Sequence, residues 1–417
     1  MPLAGSLWSI GLDVLGFLLA MERRYGPVVR VRVGLQPYHL VNDPALIEQV
    51  LWRQADRFTR ASPSSRKLQD ITGTSLLTTV GPPWLARRKL IAPYFNRAGM
   101  IGQAPAMRVL AAARIAAWGT GSADAVTIDA TDKLSALTCA IASQILFGTA
   151  VEDPALAEAL EGILAHHWRR LKDPLQIAHH LPTASRRAFD AGNRTVAGIV
   201  GLLGRAPGGD TLLGALQAAA EDPGIALTVA DELVTLLVAG HETTANALGW
   251  ALHLLALHPE EQAALRAEAQ AATDAQWAAV DLPVSLRVFQ EAMRLYPPIW
   301  LIERTAIGVV DIGGFTIPDG GSVIVSPWVV HRAGWDDAER FRPDRFRRAP
   351  TKNTYIPFGI GPHACVGANL ALTEGPLVLA LVARRWRWRP APRAIVVPRP
   401  GLTLRMQRPL RLILEPA

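Results

Sequence analysis

Cysteine is scarce in this chain of 417 residues, which contains only Cys139 and Cys365. Small secreted proteins that depend on disulfides carry many cysteines at close spacing, so no disulfide framework is indicated here. A reducing, cytoplasmic location fits this composition. Cys139 lies between apolar residues in a helical stretch and is predicted to be an ordinary core residue, which leaves Cys365 to be explained.

A hydrophobic run long enough to cross a membrane is also missing. Residues 7–21 are apolar, but this stretch is shorter than the roughly 20 residues that a membrane span needs, and Asp13 interrupts it. The positions of Leu15 and Leu18 predict an amphipathic helix packed on a domain instead. We therefore expect a soluble protein that makes at most peripheral contact with a membrane.

Negative charge is in the minority, with 36 Asp and Glu residues against 43 Lys and Arg residues and a net charge of +7. The basic residues are spread along the chain, and no nucleic-acid-binding motif accompanies them. We therefore predict no nucleic-acid partner. An acidic protein partner or an anionic cofactor explains the excess of positive charge equally well.

Helical periodicity dominates the chain, and the hydrophobic share of 50% allows a large core. The longest predicted helix covers residues 228–257, and Asp43 before Pro44 predicts the start of a shorter one. Further helices are predicted at 284–296 and 368–385. Short strands are predicted at 28–33, 39–41, 305–312, 322–325 and within 394–414. The pattern indicates a mainly α protein with small β-sheets, without repeats or a low-complexity linker.

Residues 358–367 read Phe-Gly-Ile-Gly-Pro-His-Ala-Cys-Val-Gly. A thiolate that binds iron needs a loop whose backbone N–H groups point at the sulfur. Gly361 permits the turn, Gly367 permits close approach of the backbone, and Phe358 supplies an apolar wall beside Cys365. This combination favours an iron-binding thiolate over a structural cysteine in a glycine-rich turn.

A second unusual segment lies in the middle of the longest predicted helix, where residues 239–244 read Ala-Gly-His-Glu-Thr-Thr. The hydroxyl of Thr243 can donate to the carbonyl of Ala239 and loosen the helix locally, and Gly240 leaves room for a small ligand. Glu242 next to Thr243 can relay protons from water. Taken alone, a glycine kink with incidental polar residues explains this segment equally well.

Together these motifs resemble the cytochrome P450 family, and the resemblance covers nearly the whole chain. The segment from Glu291 to Arg294 is similar to the family's E-x-x-R pair, and Arg345 corresponds to the arginine that joins this pair. The resemblance implies a triangular helical body in which haem lies between the long central helix and the helix that follows the cysteine. It implies a single domain, 1–417, with a β-rich lobe (mainly 26–58, 299–330 and the C-terminal strands) and a helical lobe (mainly 83–298 and 366–385).

The resemblance also assigns roles to the candidate residues. It implies that Cys365 is the ligand of the iron in haem b and that Glu242 and Thr243 are the catalytic proton relay. Cationic donors are expected to meet the two haem propionates. The implied haem-binding residues, besides Cys365, are Trp84, Arg88, Ala239, Gly240, Arg304, Phe358, His363 and Gly367. For Arg88 a plain basic face and for His363 a plain turn remain alternatives.

The family's activity is the insertion of one oxygen atom from O2 into a substrate, and the expected pocket is lipophilic. The residues that the family layout assigns to this pocket are nearly all apolar: Leu68, Ile71, Leu76, Leu77, Val238, Ala239, Ile299, Trp300, Ile302 and Leu402. Residues 235–243, 290–300 and 373–379 look similar to short soluble bacterial P450s that hydroxylate carotenoid rings. We therefore predict hydroxylation of a lipophilic substrate, for which a carotenoid ring is one candidate and a fatty acid or a terpenoid are alternatives.

Electrons are expected from an external NAD(P)H-linked partner, because no flavin or iron–sulfur sequence is fused to the chain. A ferredoxin or flavodoxin with its reductase would dock on a basic surface. The residues predicted for this surface are Arg87, Lys89, Arg97, Arg347, Arg348 and Lys352. A haem-thiolate peroxygenase or isomerase and a non-catalytic haem carrier or sensor are the alternatives outside this class.

Overall fold

The structure is a computed structural model that describes residues 7–33, 36–119, 125–148, 150–151, 154–172, 181, 183–209, 211–222 and 225–417. Its α-helices are α1 (Leu7–Tyr25), α2 (Pro44–Glu48), α3 (Pro63–Thr72), α4 (Gly81–Ile91), α5 (Arg97–Ala116), α6 (Ala130–Phe147), α7 (Pro154–Lys172), α8 (Ala184–Leu203), α9 (Leu212–Ala220), α10 (Val229–Leu257), α11 (Pro259–Ala271), α12 (Asp274–Ala279), α13 (Pro283–Leu295), α14 (Pro327–Val330) and α15 (Ala368–Arg385). Its strands are β1 (Val28–Val33), β2 (Gln36–Val41), β3 (Phe58–Thr59), β4 (Val126–Asp129), β5 (Ile302–Ala306), β6 (Val310–Ile312), β7 (Phe315–Ile317), β8 (Ser322–Val325), β9 (Trp386–Pro390), β10 (Pro398–Pro400), β11 (Leu404–Met406) and β12 (Arg411–Pro416).

The chain divides into two compact units, and the first comprises residues 1–65 and 290–365. Its five-stranded sheet has the order β1-β2-β8-β5-β3, in which β2 and β8 are parallel and the other neighbours are antiparallel. One face of the sheet carries the apolar core, which includes Val41, Ile47 and Val323, each fully buried. Strands β6 and β7 form a separate hairpin.

The second unit comprises residues 66–289 and 366–417. Helix α10 packs against α6 and α15, and α7 packs against α8. Two small antiparallel sheets belong to this unit, one with the order β4-β12-β9 and one formed by β10 and β11. The mainly α fold with small sheets is confirmed. That the two units function as a single domain stays a prediction.

Most predicted elements are confirmed close to their predicted bounds, β1, β8 and α15 among them. Asp43 caps α2 as predicted, because its Oδ1 accepts hydrogen bonds from the N–H groups of Ala45 and Leu46 at 2.8 and 3.0 Å. The single strand predicted at 305–312 is wrong. Gly308 interrupts it with a φ of 70°, a left-handed conformation that breaks a strand. Strand β9 was missed because it follows α15 directly, without a turn residue.

The N-terminal helix α1 is kinked at Asp13, whose φ of −153° lies outside the helical region. The Oδ1 atom of Asp13 accepts a hydrogen bond from Gly16 N at 3.0 Å and so caps the second part of the helix. Leu15 and Leu18 are buried, which confirms the amphipathic packing. None of the helices in the described ranges combines the length and the apolar character that a membrane crossing requires.

A buried carboxyl group on α15 predicts an unusual dependence of stability on pH. Glu374 is fully buried, and neither of its carboxyl oxygens has a hydrogen-bond partner among the described residues. Burial raises the pKa of Glu374 well above its ordinary value. The unfolded chain therefore releases this proton as pH rises through the ordinary value, while the folded protein keeps it. The contribution of Glu374 to the free energy of unfolding should be fully present below the ordinary pKa of a glutamate. It should fall as pH rises toward the pKa of the folded protein, by at most about 1.4 kcal/mol per pH unit.

Replacing Glu374 with glutamine removes this titration. We expect the free energy of unfolding of Glu374→Gln, measured by urea denaturation, to match the wild type near pH 5 and to exceed it at pH 8. Glu260→Gln, at an exposed position on α11, is the control and should follow the wild type throughout. Parallel pH curves for the wild type and Glu374→Gln would contradict the prediction.

Candidate active site

Cys365 ends a closed loop in the first unit. Its backbone N–H donates to Phe358 O at 2.8 Å, and the N–H of Ala364 donates to Gly361 O at 3.0 Å. Cys365 is exposed. Cys139, by contrast, is buried as predicted, and burial raises its pKa to about 12. Only Cys365 therefore offers its sulfur to a ligand.

Gly361 is required in this loop for two reasons. Its φ is 75°, a conformation that side chains with a Cβ rarely adopt. In addition, a Cβ at this position would lie 2.1 Å from the carbonyl oxygen of Leu51. The sequence predicted the turn but not this close approach, because Leu51 is remote along the chain.

Arg304 on β5 is a buried cation whose surroundings suit an anionic cofactor. The residue is 9% exposed, and its Nη1 donates to the carbonyl of Glu303 at 2.8 Å. It forms no ion pair with a carboxylate of the described residues, and burial lowers its pKa to about 10. A buried charge is costly unless it is paired. A haem propionate would supply the missing charge, so this position fits the cofactor.

The other candidates of the first unit lie on the cysteine loop. His363 and Phe358 are both half-buried there. Gly359, in the same loop, lies against β5, since a Cβ on it would be 3.9 Å from the Cδ1 atom of Ile302. Strand β5, which carries Arg304, and the cysteine loop are therefore in contact.

The predicted E-x-x-R pair is a buried ionic network in the first unit. Arg294 donates through Nε to Glu291 Oε2 at 2.7 Å and through Nη2 to Oε1 at 2.9 Å. Arg345 Nε reaches Glu291 Oε1 at 3.0 Å. The side chains of Glu291 and Arg294 are 0% exposed and that of Arg345 is 11% exposed. The predicted buried, structural arrangement of the three residues is confirmed.

In the second unit, α10 carries the predicted local distortion. Thr243 Oγ1 donates to Ala239 O at 2.7 Å, which confirms the predicted hydrogen bond. Ala239 is exposed and Gly240 is half-buried, although most of their neighbours on α10 are buried. A Cβ on Gly240 would make only an ordinary contact of 3.7 Å with Ala142. The surface at Ala239 and Gly240 is therefore open, as a small ligand would require.

Glu242 lies beside Thr243 but is bound to the C-terminal hairpin. Its Oε1 accepts hydrogen bonds from Thr403 Oγ1 and Arg405 Nε, both at 2.5 Å. Sequence reasoning missed both partners because they lie more than 160 positions away and belong to no motif. The relay through Glu242 and Thr243 therefore stays a proposal, in which Glu242 must be considered together with Arg405.

Helix α4 carries the next two candidates, Trp84 and Arg88, which lie four positions apart on one face and are half-buried. The neighbouring Arg87 corrects the predicted docking surface. It is 1% exposed, and its Nε donates to Glu232 Oε1 at 2.8 Å. Successive residues of a helix point about 100° apart, so Arg87 enters the core while Lys89 is exposed. The prediction that Arg87 lies on a surface was wrong.

Gly367 is the N-cap residue of α15, with a φ of −85°. Its carbonyl accepts a hydrogen bond from Ala371 N at 3.0 Å. Because this φ is open to any residue, backbone conformation does not explain the glycine. Its role beside a cofactor stays a prediction.

The predicted pocket residues differ in exposure. Ile71, Leu76, Val238 and Trp300 are buried, Leu77 and Ala239 are exposed, and the other four are half-buried. The family layout also assigns the segment around residues 165–190 to the pocket, and within it residues 173–180 and 182 lie outside the described residues. Two buried histidines of α7 were missed. His166 Nδ1 lies 2.9 Å from Ser185 Oγ, and burial lowers the pKa of His167 to about 4, so its ring is neutral.

Known proteins confirm the resemblance. The family model described as cytochrome P450 matches residues 1–199 and 219–414. The chain is 32% identical to cyclooctat-9-en-7-ol 5-monooxygenase of Streptomyces melanosporofaciens over 94% of this chain and 88% of that protein. It is 31% identical to pentalenene oxygenase of Streptomyces avermitilis over 99% of this chain and 95% of that protein. The crystal structure of CYP175A1 from Thermus thermophilus superposes with a TM-score of 0.80 and 31% identity, covering 98% and 97% of the two chains.

The cysteine loop, the buried ionic network and the distorted central helix thus occur in a chain that these proteins match over nearly their whole length. Relatives named monooxygenase and oxygenase share its sequence, and the cytochrome P450 family consists of haem-thiolate enzymes. The chain belongs to the cytochrome P450 family and is a haem-dependent monooxygenase.

Proposed function

We propose that this monooxygenase hydroxylates a lipophilic terpenoid. The site is assigned on one observation: the first unit contains both the exposed Cys365 on its closed loop and the buried cation Arg304. An iron porphyrin with propionates needs a ligand for its iron and a cation for its propionates, and a thiolate and an arginine would supply them. When bound, haem supplies the reductive activation of O2 and the transfer of one oxygen atom to a C–H bond.

Each residue of the proposed site then has a limited task. Cys365 would hold the iron. Arg304 and His363 of the first unit would bind the haem propionates, and the family resemblance assigns Trp84 and Arg88 of the second unit to the same task. In the second unit, Thr243 keeps a hydroxyl at the open surface of Ala239 and Gly240, where it can pass on a proton.

A terpenoid is favoured over the predicted carotenoid by the relatives. Both Streptomyces proteins carry names of terpenoid oxidation, cyclooctat-9-en-7-ol and pentalenene. The apolar character of the predicted pocket residues suits such a hydrocarbon, since burial of its surface drives binding. A carotenoid ring is the second candidate, favoured by the likeness of 235–243 and 290–300 to carotenoid hydroxylases.

We further propose that an acidic ferredoxin or flavodoxin, reduced by an NAD(P)H-dependent reductase in the cytoplasm, supplies the electrons. Arg347, Arg348 and Lys352 are exposed in the segment that leads to the cysteine loop. Arg347 pairs with Asp344 at 2.8 Å and Lys352 with Glu48 at 2.8 Å. Surface pairs of this kind are weak, so these cations remain available to an acidic partner.

A spectral titration of the ferric holoenzyme tests the proposed substrate. A cyclic sesquiterpene hydrocarbon is expected to produce a saturable shift of the Soret band, because a bound apolar molecule displaces water from the iron. β-Carotene and palmitic acid are the comparison ligands. The substrate that shifts the band should then yield a hydroxylated product only with O2, NAD(P)H, ferredoxin and reductase, and at a rate that falls with salt. Product formed from hydrogen peroxide alone would instead indicate a peroxygenase, and a shift with β-carotene alone would indicate the carotenoid.

A further inference from the structure

The hydrogen bonds of Glu242 restrict what this carboxylate can do. Besides the two contacts to Thr403 and Arg405, Asn246 on α10 donates through Nδ2 to Thr403 Oγ1 at 3.1 Å. The proton of the Thr403 hydroxyl is therefore directed at Glu242. The Glu242 side chain is 8% exposed, while the hydroxyl of the next residue, Thr243, donates to Ala239 O. In this arrangement Glu242 is committed to the hairpin.

Arg405 divides its guanidinium between two carboxylates. Its Nε contacts Glu242, and its Nη1 donates to Glu161 Oε1 on α7 at 3.2 Å. Glu161 is 70% exposed at its side chain and Arg405 is 25% exposed. The three side chains form a charged path from solvent to the buried carboxylate beside Thr243.

The charges along this path are fixed at neutral pH. Burial acts to lower the pKa of Arg405, but Glu242 and Glu161 together raise it above its ordinary value, so the guanidinium stays protonated. His241, the other titratable group beside Glu242, is neutral because burial lowers its pKa to about 4. What can change is therefore the position of Arg405 and not its charge.

We propose that Arg405 is a positioning residue that controls proton delivery through Glu242. Glu161 is the alternative partner of Arg405, and it releases Glu242 when Arg405 binds to it instead. The proposal rests on the monooxygenase function proposed above. The Oε1 atom of Glu242 already accepts hydrogen bonds from Thr403 and Arg405, so Arg405 must move away before a solvent proton donor can take its place.

The proton balance of this step is simple. When Arg405 moves toward Glu161, Glu242 takes one proton from a hydronium ion of the solvent, which leaves a water molecule. The Thr243 hydroxyl accepts this proton and releases its own to the acceptor at the open surface of α10. Glu242 returns to the carboxylate and recovers Arg405, so that one proton is delivered and no residue is oxidised or reduced.

Glu161→Gln in the haem-loaded enzyme is the decisive variant, because Glu161 is exposed and distant from the predicted haem residues in sequence. Without the competing carboxylate, Arg405 stays on Glu242. We expect kcat to fall about fivefold, the population shift that one exposed ion pair can produce. The solvent deuterium isotope effect on kcat should rise and the yield of product per NAD(P)H should fall, while KM should not change. The matched control is Glu415→Gln, which removes an exposed partner of Arg389 at 3.3 Å and should leave kcat unaltered.

Arg405 itself is tested with two substitutions. Arg405→Gln removes the group that occupies Glu242, so the solvent deuterium isotope effect on kcat should fall below that of the wild type. Arg405→Lys should restore most of the original isotope effect. A purely structural Arg405 would change KM through the hairpin and leave the isotope effect as it is.

The proposal is overturned if Glu161→Gln has the kcat, coupling and isotope effect of the wild type, or if Arg405→Gln changes KM alone. These outcomes differ from a failure of the proposed function. In that case the wild-type holoenzyme itself makes no oxygenated product from O2 and reductant.

Discussion

Cys365→Ser is expected to abolish NAD(P)H-dependent turnover and to remove the absorption band that carbon monoxide produces on a thiolate-bound ferrous haem. Serine preserves the hydrogen bond from the backbone N–H of residue 365 to Phe358 O, so the loop itself has no reason to open. The change is confined to the ligand, since a neutral hydroxyl does not donate charge to iron as a thiolate does. The measurement is a carbon monoxide difference spectrum of the reduced protein, followed by turnover with the preferred substrate.

Cys139→Ser is the matched control, because it makes the same chemical change at a buried position away from any accessible surface. We expect Cys139→Ser to keep the thiolate band and to lose only stability. If Cys365→Ser retained both the band and turnover, Cys365 would not be the iron ligand and the proposed site would be wrong.

What the sequence predicted correctly was local in the chain. The hydrogen bond from Thr243 to Ala239 joins residues four apart, Asp43 caps a helix that begins at the next residue, and the bounds of α15 follow from a single periodic segment. Such features depend on neighbours along the backbone. They can be predicted wherever the helical period and the capping residues agree.

What could not be predicted depended on distant partners. Arg87 and Arg88 look alike in sequence, yet Arg87 is buried because Glu232 lies opposite it in the core. Glu242 appeared free to act as an acid, yet Arg405 and Thr403 occupy it. Gly361 was predicted for its turn, but the carbonyl of Leu51 also excludes a side chain there. The direction of a side chain out of its own element is set by packing, which no local pattern contains.

The buried acids of this chain illustrate how packing separates residues of one type. Glu232 and Glu291 each face arginine in the core, Glu242 faces an arginine that is partly exposed, and Glu374 has no hydrogen-bond partner among the described residues. A paired buried acid stabilises the fold only while its partner remains. An unpaired one avoids the cost of a buried charge by keeping its proton. These differences suit a structural role for Glu291 and the proposed proton-transfer role for Glu242.

Glu291→Gln is expected to cost about 3–5 kcal/mol in the free energy of unfolding, because it leaves the fully buried Arg294 without its counter-charge. The loss is a large part of the total stability of a typical protein, about 5–15 kcal/mol, so the yield of haem-loaded protein should fall as well. Urea denaturation monitored by tryptophan fluorescence measures the first effect, and the ratio of Soret to protein absorbance measures the second.

Glu48→Gln is the control that separates burial from the number of ion pairs. Glu48 also binds two cations, Arg53 at 2.9 Å and Lys352 at 2.8 Å, but these cations are 68% and 67% exposed at their side chains. Water can replace the lost carboxylate there, whereas Arg294 and the partly buried Arg345 depend on Glu291. Glu48→Gln should therefore change stability and haem content little. Equal losses in Glu48→Gln and Glu291→Gln would show that the buried network has no special weight, and the structural role assigned to the E-x-x-R pair would have to be abandoned.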